Sequence, residues 1–156
     1  MDYELTRRVL AALHEHAVAY KVFGAVALNL HGLARATEDL DIFIAPDAEN
    51  IARLRAALHS VFRDPSIDEI TAEDLLGDYP AVQYVPPSGD FHIDILTRLG
   101  ELFDYASLDT ETVDLSGTPV TVVTPRMLYE MKRNTVRAKD RGDAEALARR
   151  FKLEGT

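Results

Sequence analysis

The sequence predicts a single α/β (α+β) domain in which a mixed β-sheet carries helices packed mainly on one face. Three observations indicate this class. The predicted elements run helix, strand, helix, strand, helix, two hairpins and further helices, which fits neither strict βαβ alternation nor an all-β protein. The 156 residues are 47% hydrophobic and long enough to bury a core. No repeat, linker or low-complexity tract divides residues 1–156, so helices within 125–152 are expected to pack on the same core.

The first half of the chain alternates helices with strands. Apolar residues at helical spacing predict the helices, and alternating apolar residues predict the strands. Capping residues place the ends of two elements. The predicted elements are a helix over 4–18, a strand over 19–24, a helix over 25–31 closed by Gly32, a strand over 39–44, and a helix over 48–62 capped by Asp47.

The second half contains two predicted hairpins followed by helices. Clusters of Pro, Gly, Ser and Asp separate the strands of each hairpin. A Thr-Pro pair begins the next helix, because proline is favoured at the first helical position. The predicted elements are a short helix over 71–76 behind Thr71, strands over 81–85 and 91–96, strands over 111–115 and 119–123, a helix from Pro125 with Met127, Leu128, Met131 and Val136 on its apolar side, and a helix over 140–151.

Composition excludes several functional classes. The chain has no cysteine, so disulfides and thiolate metal sites are excluded. No apolar run approaches the roughly 18 residues that a membrane helix needs. The N-terminal residues lack the charged-then-apolar pattern of a signal peptide. A cytoplasmic protein without a membrane partner is therefore expected.

The net charge of −9 argues against binding a nucleic-acid backbone over the whole surface. The charge is uneven, however. Residues 126–152 hold nine Lys or Arg and four Asp or Glu, which leaves eight basic and 22 acidic residues elsewhere. This polarity suits a site that binds a metal and a nucleotide, although a solvated basic helix would have the same composition.

Three aspartates form the candidate catalytic centre. Side chains alternate along a strand, so Asp39 and Asp41 share one face of the strand over 39–44. By the same rule Asp94 shares a face with His92 on the strand over 91–96. If these strands are neighbours, three carboxylates converge and repel one another unless cations neutralise them. The alternative is that the acidic pair simply faces water, as exposed strand faces commonly do.

Oxygen ligands favour hard ions such as Mg²⁺ or Mn²⁺. Two such ions about 3.5–4 Å apart can hold a nucleoside triphosphate and activate an attacking hydroxyl. The three aspartates are therefore both the candidate metal ligands and the candidate catalytic groups. For His92, a hydrogen bond beside this site is favoured over a role as a metal ligand.

Residues upstream of the acidic pair complete a motif. Gly24-Ala25 lies at a predicted strand–helix junction, where glycine lets backbone N–H groups approach a phosphate closely. The stretch FGAVALNLHGLARATEDLDIFI resembles the DNA polymerase β-like nucleotidyltransferase superfamily. It is most similar to the small prokaryotic branch that includes the abortive-infection toxin nucleotidyltransferases of type IV toxin–antitoxin systems. The downstream TPRMLYEMKRNTVRAKDRGDAEAL resembles the same branch.

The resemblance implies a polymerase β palm-like fold and a role for each matching residue. Asp39 and Asp41 would bind metal, and Asp94 would help deprotonate the acceptor hydroxyl. The remaining implied nucleotide-binding residues are Gly24 and Ala25 in the phosphate turn, Arg35 and Thr37 in the following loop, Lys132 toward the triphosphate, and Lys139 (beside Asp140) near the nucleotide.

One position departs from the family pattern. The second small residue of the turn is usually Gly or Ser, whereas it is Ala25 here, so a weakly active or inactive member that binds a nucleotide or a protein is the alternative function. The primary expectation is an Mg²⁺-dependent nucleotidyltransferase that transfers an NMP from an NTP to an RNA or tRNA end, a protein or a small molecule. The expected partners are the NTP, the acceptor and an antitoxin or second subunit.

Overall fold

The computed structural model describes residues 3–36, 39–89, 91–133 and 138–153, with the backbone only at 138–141. Within these residues it contains six α-helices, one 3₁₀ helix and eight strands. The helices are α1 Tyr3–Glu15, α2 Gly24–Leu30, α3 Ala48–Val61, the 3₁₀ helix Pro65–Glu69, α4 Ala72–Leu76, α5 Pro125–Arg133 and α6 Ala138–Phe151. The strands are β1 Tyr20–Phe23, β2 Asp39–Ile44, β3 Ala81–Tyr84, β4 His92–Leu96, β5 Arg98–Leu99, β6 Phe103–Asp104, β7 Thr110–Leu115 and β8 Thr118–Val123.

Six strands form one mixed sheet in the order β3-β4-β2-β1-β8-β7. β2 pairs with β4 in parallel and with β1 in antiparallel, while β1 and β8 are parallel. The two predicted hairpins are confirmed as the antiparallel pairs β3–β4 and β7–β8. The mixed α/β class is therefore confirmed. The small separate sheet of β5 and β6 was not predicted, because its strands are only two residues long.

The buried core explains why β2 lies at the centre of the sheet. Leu40, Ile42, Phe43 and Ile44 are all 0% exposed, so both faces of this strand pack against other parts of the protein. The helices α5 and α6 contribute Leu128 and Leu147 to the same buried cluster. The carboxylates of β2 thus stand at the border of a dry core, where burial changes their chemistry.

Capping residues end the helices largely where the sequence predicts. Gly32, with φ +92°, follows α2 in a Schellman motif, since Leu33 N–H donates to the carbonyl of Leu28. The first helix is shorter than predicted because Ala17 adopts φ +55° and Val18 N–H donates to the Leu13 carbonyl, which closes the same motif. None of the helices in the described residues is long and apolar enough to cross a membrane.

Candidate active site

The register of β2 and β4 places two of the predicted carboxylates side by side. Asp41 is the direct neighbour of Asp94, and Asp39 is the neighbour of His92. Paired residues of adjacent strands point to the same face of the sheet. The acidic residues of both strands therefore share one face, although Asp41 and Asp94 are 53 positions apart in the chain.

Asp41 and Asp94 interact directly. The pKa of Asp41 is raised from its ordinary value to about 8 by burial first, then by its hydrogen bond to Asp94 and by the negative charges of Asp94 and Asp39. The positive charge of Lys132 opposes this shift. Because this pKa lies above neutral, Asp41 keeps its proton at pH 7 and donates it in the hydrogen bond to Asp94. A divalent cation that replaced this proton would relieve the same repulsion.

Each of the other two aspartates has a neighbour that orients it. Asp39 Oδ1 lies 3.0 Å from Nδ1 of His92. Gln83, which faces Asp94 across the β3–β4 pair, donates from Nε2 to Asp94 Oδ1 at 3.0 Å. Asp94 therefore interacts with two neighbours, Gln83 and Asp41.

Gly24 meets the carboxylate of Asp41 where β1 turns into α2. It adopts φ +70°, and a Cβ added to it would lie 2.0 Å from Oδ2 of Asp41. Both facts demand glycine, since a side chain would be strained by the backbone conformation and would collide with the acid. The sequence predicted glycine here for close approach to a phosphate. The structure adds that glycine is needed here to leave room for the carboxylate of Asp41.

An ion-pair triad centred on the buried Asp143 forms the cationic side of the site. Asp143 on α6 faces Lys132 Nζ at 3.2 Å and Arg35 Nε at 3.3 Å. Asn29 of α2 positions this arginine, because its side-chain oxygen accepts a 2.7 Å hydrogen bond from Arg35 N–H. Two helices and a loop thus bring both cations to the edge of the acidic face.

A cavity of about 480 Å³ joins these groups. This volume falls within the usual range for small-molecule sites. It is lined by Phe23, Gly24, Ala25, Arg35, Asp39, Asp41, Ala81, Val82, Gln83, Asp94, Leu96, Lys132 and Asp143. Carboxylates, cations and an apolar wall therefore border one space, which is the arrangement that an anionic ligand with an apolar ring requires.

Most predicted site residues lie in this cavity. Thr37 lies outside the described residues, and so does the side chain of Lys139. Gln83 and Asp143 line the cavity but were not predicted. The sequence predicts a strand over 81–85 but does not indicate that Gln83 contacts Asp94. Asp143 lies among charged residues that are typical of a solvated helix.

The donor set fits a divalent cation in its chemistry. All three aspartates offer oxygen atoms, the ligands that hard divalent cations prefer. Within the described residues, no three or more His, Asp or Glu side chains are already grouped so that they could hold an ion. That Asp39, Asp41 and Asp94 bind Mg²⁺ or Mn²⁺ therefore stays a prediction.

The fold is similar to solved nucleotidyltransferase structures. ANT(2″)-Ia, solved in complex with adenylyl-2″-tobramycin, matches with a TM-score of 0.59 and 15% identity over 97% of this chain and 90% of that one. TM1012 from Thermotoga maritima, described as a nucleotidyltransferase, has a TM-score of 0.56 and 15% identity, covering 97% and 92%. A nucleotidyltransferase-like antigenic protein from Paracoccidioides brasiliensis has a TM-score of 0.56 and 21% identity, covering 94% and 75%.

The sequence also matches a family model. Residues 8–150 match the family described as "Nucleotidyl transferase AbiEii toxin, Type IV TA system". No curated protein sequence matches this chain significantly. The family match covers every described residue of the cavity, so it applies to the site as well as to the fold.

Proposed function

The chain belongs to the AbiEii nucleotidyl transferase toxin family of type IV toxin–antitoxin systems, and we propose that it transfers an NMP from an NTP to a hydroxyl acceptor in a reaction that depends on Mg²⁺ or Mn²⁺. The observation that carries this proposal is the in-register contact of Asp41 with Asp94 beside Gly24. A half-buried acidic pair next to a close-approaching backbone and two cations is suited to phosphoryl chemistry.

Each side of the cavity has a distinct role in this proposal. Lys132 and Arg35 bind phosphate oxygens, and the backbone at Gly24 and Ala25 borders the phosphates. Phe23 and Leu96 offer apolar surface to the nucleotide base. Thr37 and Lys139 are proposed nucleotide contacts on the basis of sequence alone.

The chemical step needs a hydroxyl oxygen to attack the α-phosphorus. A bond forms between these two atoms, the bond from the α-phosphorus to the bridging oxygen breaks, and pyrophosphate leaves. Asp94 takes the hydroxyl proton, and Gln83 holds its carboxylate in place through the 3.0 Å hydrogen bond. This contact restricts the orientation of the carboxylate before any acceptor binds.

The proposed metal ligands are Asp39, Asp41 and Asp94. A bound Mg²⁺ or Mn²⁺ would neutralise these carboxylates and stabilise the charge on the phosphates. Gly24 leaves room for the Asp41 carboxylate, and the sheet register places Asp41 beside Asp94, so two of the three proposed ligands are neighbours before any cation binds.

The acceptor is proposed to be an RNA end, a protein or a small hydroxyl compound. The similar fold of ANT(2″)-Ia was solved with adenylyl-2″-tobramycin, which justifies including an aminoglycoside among the compounds tested. The family description names a type IV toxin–antitoxin system, so an antitoxin is a proposed partner.

The direct test is transfer from each labelled NTP. The protein is incubated with Mg²⁺ and, in separate reactions, total RNA, a protein extract and tobramycin. We expect a labelled product and pyrophosphate from the wild type and neither from the Asp39→Ala/Asp41→Ala variant. Asp68→Ala is the matched control, because Asp68 pairs with His59 and does not line the cavity.

Two outcomes contradict the proposal. Equal, background-level product from wild type and Asp39→Ala/Asp41→Ala rejects catalysis at this site. Nucleotide binding that is unaffected by a chelator and never yields product favours the non-catalytic alternative. Growth arrest on induced expression, absent in the double variant, tests the toxin role independently.

A further inference from the structure

Asp143 lies between the two cations of the cavity. Its Oδ1 is 3.3 Å from Nε of Arg35, and its Oδ2 is 3.2 Å from Nζ of Lys132. Each oxygen of one carboxylate therefore faces a different cation. The side chain is only 11% exposed, so this acid is a buried counter-ion, unlike an ordinary surface carboxylate.

The side chains that line the cavity are more acidic than basic, so the pairing of Asp143 with both cations affects how the cavity binds an anion. Four of the lining side chains are acidic and two are basic: Asp39, Asp41, Asp94 and Asp143 against Arg35 and Lys132. With twice as many acidic as basic side chains, the lining has no excess positive charge. A triphosphate entering such a cavity is repelled by the carboxylates, and the two cations that would attract it are already paired with Asp143.

Arg35 retains an unused donor. Its Nη2 is shielded from solvent and makes no hydrogen bond to any described residue, and its Nε faces Asp143 without meeting hydrogen-bond geometry. A shielded guanidinium N–H without an acceptor is unfavourable. A phosphate oxygen is the acceptor that a planar guanidinium binds best.

We propose that Asp143 is an internal counter-ion that occupies Lys132 and Arg35 in the nucleotide-free protein, and that a triphosphate must displace it. The inference rests on the proposed function, in which these two cations bind the phosphates. Its consequence is selectivity, because a lone anion that brings no compensating positive charge competes poorly with a carboxylate already in place. A nucleotide that arrives with divalent cations meets a smaller electrostatic barrier.

The test is nucleotide affinity measured without divalent cations. ATP, GTP, CTP and UTP are each titrated into protein in EDTA by calorimetry, with inorganic pyrophosphate as a probe that lacks a base. For at least one NTP and for pyrophosphate, Asp143→Asn should bind at least about tenfold more tightly than the wild type, since it removes one repelling charge at nearly constant shape. Asp143→Glu keeps the charge and should retain wild-type affinity.

Two further variants isolate the cause. Asp68→Asn also removes one carboxylate from an ion pair, at 2.8 Å from His59, but this residue does not line the cavity, so affinity should not change. Adding Lys132→Gln to Asp143→Asn should cancel most of the gain, because the released cation is then missing. Thermal melting of each variant verifies folding, and Asp143→Ser replaces Asp143→Asn if the latter does not fold.

The results separate this inference from the proposed function. Unchanged or weaker binding by Asp143→Asn in EDTA overturns the counter-ion role and means that Asp143 only holds the cations in place. If the wild type does bind NTP with Mg²⁺ in that case, the proposed function stands. If neither protein binds any NTP with or without Mg²⁺, the proposed function fails, and this inference fails with it.

Discussion

Gly24 combines a left-handed backbone conformation with a close approach to the carboxylate of Asp41. We expect Gly24→Ala to lower the free energy of unfolding by about 3 kcal/mol or more, since it combines a left-handed φ with a collision in a packed site. The new Cβ would lie 2.0 Å from Asp41 Oδ2, so the carboxylate must move and nucleotide transfer should be lost. Chemical denaturation and the transfer assay measure the two effects.

The chain offers a matched control for this prediction. Gly100 has φ +60°, close to that of Gly24, but a Cβ there would meet nothing within 4 Å. Gly100→Ala should therefore lower the free energy of unfolding by only about 1–2 kcal/mol, because the left-handed conformation is its one source of strain. Equal losses in the two variants would contradict the proposed contact with Asp41.

Asp41 makes stability depend on pH. Its folded-state pKa of about 8 lies above its value in the unfolded chain. Below about pH 4 both states carry the proton, whereas between about pH 4 and 8 only the folded state keeps it. The stabilisation that comes from protonating Asp41 in the folded state is therefore fully present below about pH 4 and is lost as the pH rises toward 8.

The variant Asp41→Asn tests this sign. In EDTA it should melt at a higher temperature than the wild type at pH 8, by about 3 °C for each kcal/mol gained. The advantage should shrink as the pH is lowered and disappear near pH 4, where the wild-type acid is protonated. Scanning calorimetry across this range is the measurement, and a pH-independent difference would exclude a raised pKa as its cause.

At the scale of elements, the end of α1 shows a local compromise. Ala17 holds φ +55° so that the chain can turn from the helix into β1. Glycine is the usual residue at this position because it has no Cβ to strain. We expect Ala17→Gly to raise the free energy of unfolding by about 0.5–1 kcal/mol.

The same substitution elsewhere should have the opposite sign. Ala56 is exposed in the interior of α3, where glycine costs about 1 kcal/mol of helix stability. Denaturant melts of both variants give the comparison. If Ala17→Gly instead lowers the free energy of unfolding, then the greater conformational entropy of glycine in the unfolded chain outweighs the relief of backbone strain in the folded state.

At the scale of the whole molecule, the uneven charge of the sequence has two different explanations. Lys132 lines the cavity, as the nucleotide hypothesis expects. Arg126 and Arg133 instead pair with Glu130 on the surface of α5, with side chains nearly half exposed. The basic segment over 126–152 thus contributes partly to the lining of the cavity and partly to an ordinary solvated helix surface.

Ligand binding should stabilise the whole chain. At 100 times its dissociation constant, a ligand specific for the folded state adds about 2.7 kcal/mol. For a protein of 156 residues, a non-hydrolysable NTP with Mg²⁺ should therefore raise the melting temperature by about 5–10 °C. Asp41→Asn and Asp94→Asn should greatly reduce this shift, and Asp68→Asn should preserve it. Equal shifts in all variants would argue against nucleotide binding at the cavity.

Local sequence patterns determined the elements and the composition of the site. Alternation along β2 placed Asp39 and Asp41 on one face, and Thr124-Pro125 predicted where α5 begins. These features depend on neighbours within a few residues, because helix and strand periods and caps are local. The absence of cysteine likewise excluded thiolate chemistry without any structure.

Only the tertiary structure decided which distant groups meet. Parallel pairing of β2 with β4 brought Asp94 beside Asp41, and the packing of α6 brought Asp143 between Lys132 and Arg35. Strand register and burial arise from contacts between residues far apart in the chain, so no local pattern specifies them. The raised pKa of Asp41 follows from those contacts, because it depends on a dry surrounding and a second carboxylate that the strand itself does not supply.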